Sequence, residues 1–213
     1  MNFFENARQA KLVRCLEKQE NLSRFIGYYL DRTSVSVETD GRVRHGTLIA
    51  RSPASPVARA LMAVASELNA LHISLEVAFA RLEPSEFMNE WAALARTEPG
   101  RHPAVILRWA ARQPLLEAHE QLVLGLNMSW TGDCMRREPE TRDAYELYDT
   151  FHVEAAARST QSFRALWNAC QPVPAAVLGR GLTIGSEMPA TQPHAGLADV
   201  AALPPKPSIL TRH

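Results

Sequence analysis

The stretch from residue 46 to residue 110 constrains this chain most, because its hydrophobic period switches repeatedly between two and 3.6. "GTLIARS" (46–52) is a short apolar run ending at Ser52-Pro53. "SPVARALMAVASELNAL" (55–71) places Ser55 as an N-cap, Pro56 at the first helical position, and Val57, Leu61, Val64, Ala65 and Leu68 in one stripe. In "HISLEVAFARL" (72–82), Ile73, Leu75, Val77 and Phe79 alternate with His72, Ser74, Glu76 and Ala78, which is strand period. "EPSEFMNEWAALART" (83–97) reads as a second helix opened by Pro84 and Ser85. "HPAVILRWA" (102–110) carries a continuous Val-Ile-Leu run suited to a strand covered on both faces. Strand–helix–strand–helix–strand needs crossover connections. The spacing therefore predicts an α/β fold whose mixed, mostly parallel sheet is built on a βαβαβ unit.

The flanks add to this unit. Residues 4–30 have helical spacing through Leu12, Leu16, Phe25, Ile26, Tyr29 and Leu30, so 1–31 is expected to be an N-terminal helix. Val35 and Val37 alternate with Ser34, Ser36 and Glu38, and Asp40-Gly41 suits a tight turn, which predicts a hairpin between 33–38 and 43–50. Strands over 116–125 and 128–132 are too close for a crossover and should pair antiparallel. A last helix over 150–170 would turn Val153, Ala156, Ala157, Thr160, Phe163, Leu166 and Trp167 inward. The α/β domain is thus expected to span 32–170. Residues 171–213 hold seven of the fourteen prolines and no aromatic residue, the composition of a disordered, flexible C-terminal tail.

Composition narrows the function. Net charge is zero, so no global basic field draws the chain to nucleic acid or to acidic membranes. The three cysteines, Cys15, Cys134 and Cys170, are widely spaced without a CxxC, which suggests neither a disulfide framework nor a zinc site. The charged N-terminus has no signal-like apolar region, and no run approaches the roughly 18 apolar residues of a membrane span. A cytoplasmic protein without cofactor or metal is the expectation. "GRGLTIG" in the tail follows no strand and does not read as a dinucleotide loop.

The chemistry concentrates in "EAHEQLVLGLNMSWTGDCMRREP" (117–139). In a strand, His119, Gln121 and Val123 share one face. Gly132 and Asp133 follow after the turn, and Arg136 and Arg137 follow them. Together with the preceding βαβαβ order and the "SFRALW" helix (162–167), this stretch resembles one half of the phospholipase D-like superfamily, whose signature is His-x-Lys-x4-Asp followed by Gly-Ser/Thr-x-Asn. The resemblance covers about residues 45–169. It implies that His119 stands at the nucleophile position, which in the family attacks phosphorus to give a phosphohistidine. The lysine position is Gln121, the Asp position is Leu126 with Asn127 beside it, Gly132 is retained, Asp133 replaces the small hydroxyl residue, and Met135 replaces the Asn.

A transferring phosphoryl group needs cations on its oxygens, and Gln121 supplies only a neutral amide. Of the 23 lysines and arginines only Lys11, Lys18 and Lys206 are lysines, none of them in the α/β body. The sequence therefore predicts a degenerate site and a non-catalytic binding or assembly role. Since a single half leaves its site face uncovered, the resemblance also implies a homodimer. Two alternatives stay open: a phosphodiesterase in which Arg136 or Arg137 replaces the lysine beside His119, and an unrelated domain binding a partner or an anionic, phosphate-containing ligand. In the last case Arg51, Arg81 and Arg108 at the strand ends would form the rim.

Overall fold

A computed structural model describes residues 8–13, 15–35, 44–82, 86–96, 105–110, 117–136 and 144–179. All of them belong to one unit within Met1–Leu182. Three strands form the parallel heart of the sheet: β2 (Arg44–Ala50), β3 (Ile73–Phe79) and β4 (Val105–Trp109). The crossovers between them carry α2 (Pro56–Ala63) and α3 (Ala65–Ala70), then α4 (Glu86–Ala95). The βαβαβ unit expected from the alternating periods is therefore present. The long helix expected over 55–71 is divided at Val64, whose φ of −115° leaves the helical region.

Antiparallel strands complete the sheet. They are β5 (His119–Leu124) and β6 (Met128–Cys134), joined by a tight turn in which Gly125 has φ +62°, followed by β7 (Ala144–Thr150). An edge strand, β1 (Arg8–Val13), pairs with β7. At the other edge the two-residue β8 (Gln171–Pro172) pairs with β4, giving the order β1-β7-β6-β5-β2-β3-β4-β8. The sheet is mixed, as expected, but only β2–β3 and β3–β4 are parallel. The expectation of a mostly parallel sheet is corrected to a mostly antiparallel one, because β1 and β7 add to the hairpin side.

Other expectations shift as well. The N-terminal segment is not helix throughout: β1 precedes α1 (Cys15–Val35). Thr33–Val35, expected to open a hairpin, are the last turn of α1, and the rest of that hairpin's first strand lies outside the described residues. The segment read as tail begins with ordered structure, since Val173 is buried and α6 (Ala175–Gly179) lies against α4. The Pro-rich remainder, 180–213, lies outside the described residues.

The two faces of the sheet are covered unequally. Leu22, Phe25, Ile26 and Tyr29 of α1 pack with α2 and α4 on one face, against Leu48, Leu75, Val77, Leu122, Leu124 and Trp130. The opposite face carries α5 (Val153–Ala169), whose Phe163 and Trp167 close over Ile49, Ala78, Ala110 and Met135. Ala156, Phe163 and Trp167 face inward as expected, whereas Val153 and Ala157 are exposed. Because both faces are covered, successive residues of β2 and β5 are buried in either direction, polar ones such as Thr47, Glu120 and Gln121 included.

Candidate functional site

β5 runs antiparallel to β2 with Gln121 opposite Ile49, so His119 begins its strand at the end where β2 and β3 finish. His119 is exposed on the α5 face. Its Nδ1 lies 2.8 Å from the Gly132 carbonyl oxygen. A carbonyl only accepts, so Nδ1 carries a proton, and Nε2 is the nitrogen that holds the lone pair whenever the ring is neutral. The acceptor that orients the ring is thus a backbone carbonyl. β6 carries one extra residue here: His119 stands opposite Cys134 but Gln121 opposite Thr131.

Gly132 has a packing reason to be glycine. A Cβ there would come within 2.5 Å of the Trp130 indole and 3.4 Å of Lys18 Nζ. Its side-chain direction points to the α1 face, away from the His119 imidazole. Gln121 shares the His119 face and is 91% buried. Met135, at the position of the family's Asn, is buried with Phe163, Trp167 and Cys170. The surface beside these residues, at the ends of the parallel strands, is a small apolar dimple lined by Ile49, Ala78, Ala110, Met135, Leu166 and Cys170.

Two of the cations expected nearby have partners of their own. Arg136 forms an exposed ion pair with Glu117 at 2.7 Å, and Arg137 lies outside the described residues. Arg108 donates to the Trp167 carbonyl oxygen at 3.0 Å and stacks over the Trp167 indole, so it leaves the rim proposed for Arg51, Arg81 and Arg108. Cys134 donates its thiol to the Glu117 carbonyl. Burial pushes the Cys170 thiol up, against the charge of Arg108. Among the described residues no three His, Cys, Asp or Glu side chains are grouped to hold a metal.

Asn127 is not brought to His119. It sits in the β5–β6 turn, at the far end of β5, roughly 17 Å of strand away at about 3.3 Å per residue. There it lines a separate cleft with Tyr29, Arg32, Thr33, Arg44, Met128 and Phe151.

The sequence did not reveal a buried polar cluster on the reverse side of the same strand. Glu120 points to the α1 face, where Lys18 Nζ meets its Oε2 at 3.0 Å, with the two side chains 1% and 7% exposed. The Arg51 backbone N–H donates to Glu120 Oε1. Beside them Glu146 is fully buried and accepts from the Tyr148 hydroxyl at 3.1 Å. Burial raises the Glu146 carboxyl to about 7, outweighing the nearby Lys18 charge. The one signal available beforehand was an acid, Glu120, within a segment expected to be a strand.

No family model matches the sequence, and no curated protein matches it significantly. Solved structures do match in fold. TrmBL2, an archaeal chromatin protein with a novel mode of DNA binding, aligns with a TM-score of 0.51 at 7% identity over 81% of this chain, which spans 57% of that protein. Nuc from Salmonella typhimurium, a phospholipase D family member, aligns with a TM-score of 0.49 at 10% identity over 78% of this chain and 98% of its own. NucT from Helicobacter pylori gives 0.46 at 12% identity, over 78% and 99%. At such identities the likeness is one of fold.

Proposed function

We propose that this is a phospholipase D-like domain whose site has lost phosphoryl-transfer chemistry and serves binding or assembly. The supporting observation is the composition of the His119 face. Gln121, on the same face, is a buried neutral amide, the strand ends beside it carry an apolar floor of Ile49, Ala78, Ala110 and Met135, and Arg136 is paired with Glu117. Such a floor cannot stabilise charge developing on phosphoryl oxygens. It suits the contact of an apolar side chain, as in the packing of a second copy over this face. The test is turnover of an activated phosphodiester by wild-type protein and by His119→Ala. Background rates in both fit the proposal, and turnover lost only in the variant overturns it.

A second reading draws on one observation. The Gly132 carbonyl holds Nδ1–H and leaves Nε2 outward, which is the tautomer a nucleophilic histidine needs. In this reading an arginine supplies the missing charge, and replacing Arg136 by Ala would abolish turnover along with His119→Ala.

A further inference from the structure

At the end of the sheet opposite His119, the last turn of α1, the start of β2, the β5–β6 turn and the β7–α5 junction enclose a cleft of about 240 Å³. This is smaller than the roughly 300–1,000 Å³ of pockets for drug-sized ligands and suits a single small group. Its described lining is Tyr29, Arg32, Thr33, Arg44, Asn127, Met128 and Phe151: two guanidiniums, an amide and hydroxyls, with no carboxylate among them. Arg44 Nη1 is buried without a hydrogen-bond partner, an unmade bond that a bound acceptor would complete. Arg32 lies over the Phe151 ring at 4.5 Å, with its Nη1 3.5 Å from the Tyr28 hydroxyl. The α1 C-terminus brings partial negative charge, which Arg32 in its last turn offsets.

Two features set this cleft apart from ordinary strand-end polarity. Phe151 has φ +59°, a conformation that side-chain-bearing residues rarely adopt, and the His152 N–H bond to the Asn127 carbonyl ties the two turns together at 3.0 Å. Large apolar side chains also stand exposed on those same turns: Leu126 is 77% exposed and Val153 60%.

We propose that this cleft is an oxyanion site that takes a phosphate or phosphate-ester group between Arg44, Arg32 and Asn127. It is independent of the reading given to His119. The group can be free in solution or carried by a lipid, in which case Leu126 and Val153 would enter the interface beside it.

The experiment is titration of the full chain with inorganic phosphate, followed by amide chemical shifts. Saturable shifts at Thr33, Arg44, Asn127 and Phe151 are expected, weakened about tenfold or more by Arg44→Ala and by Asn127→Ala. His119→Ala should leave them unchanged. Asn127→Ala keeps the test open if Arg44→Ala fails to fold. In parallel, vesicles with and without an anionic phospholipid distinguish the sources. Binding to anionic vesicles that Leu126→Ser weakens, with the phosphate titration intact, assigns a lipid; phosphate binding without vesicle binding assigns a soluble ester. No saturable shifts, or shifts centred on Arg51 and Arg81, would overturn the proposal. So would binding that appears only after Glu38→Gln and Asp40→Asn, since the chain's own carboxylates would then be the occupants.

Discussion

Lys18 and Glu120 show how a single residue's direction decides its meaning. Glu120 lies between His119 and Gln121 in sequence, yet it faces the other side of the sheet and meets Lys18 from α1. The only lysine whose side chain is described therefore approaches the candidate strand from the face opposite His119 and Gln121. Removing one partner of a buried pair leaves an uncompensated charge, whereas removing both need not. Lys18→Met should cost about 3–5 kcal/mol in urea unfolding, and Lys18→Met/Glu120→Leu should recover part of that loss. If the single variant unfolds like wild type, the pair is not buried as described.

Glu146 beside them gives a pH dependence. Its folded value of about 7 lies above the ordinary 4.5, so the folded state holds the proton more tightly than the unfolded state does. Its contribution to stability is fully present below about 4.5 and is lost as the pH rises through about 7. Glu146→Gln should therefore gain stability relative to wild type on going from about pH 5 to about pH 8. Parallel curves for the two proteins in denaturant titrations would refute the shift.

Among the elements, those with a clean period were legible in the sequence and those specified by distant partners were not. β3 and the α2–β3–α4–β4 succession follow from alternating and helical stripes that each element carries itself. β7 does not: Glu146, Tyr148 and Thr150 line its buried α1 face, and Asp149 is buried on the other, so no hydrophobic alternation marks it. Of its polar groups, Glu146 is met by the Tyr148 hydroxyl of its own strand and by the charge of Lys18 from α1. β1, "RQAKLV", is likewise a strand by virtue of pairing with a segment more than 130 residues away. Thr33 and Val35 have strand propensity, but they continue α1, where Thr33 is buried.

The site was legible in part for the same reason. Period two correctly puts His119 with Gln121, but it cannot foresee the extra residue in β6, or that the turn bearing Asn127 belongs to another cleft. The glycine of the motif can be tested at this scale. Gly132→Ala drives a methyl group into the Trp130 indole and should cost about 1–3 kcal/mol in thermal or urea unfolding. An unchanged midpoint would mean that the glycine is not retained for packing.

For the whole molecule, the sheet is covered on one face by α1, α2, α3 and α4 and on the other chiefly by α5, and the His119 end of the α5 face keeps an apolar dimple. If that face serves assembly, sedimentation should give a species of twice the chain mass. Leu166→Glu, which puts a charge on the half-buried edge of the dimple, should shift it to the monomer. A wild-type monomer at all concentrations would remove the assembly role and leave ligand binding. The most direct test of the central claim looks for the covalent intermediate itself. Wild-type protein and His119→Ala, quenched soon after mixing with an activated phosphodiester, are weighed intact by mass spectrometry. The account predicts the unmodified mass for both. An added phosphoryl-ester mass on wild type, absent from His119→Ala, would contradict it and make His119 a working nucleophile.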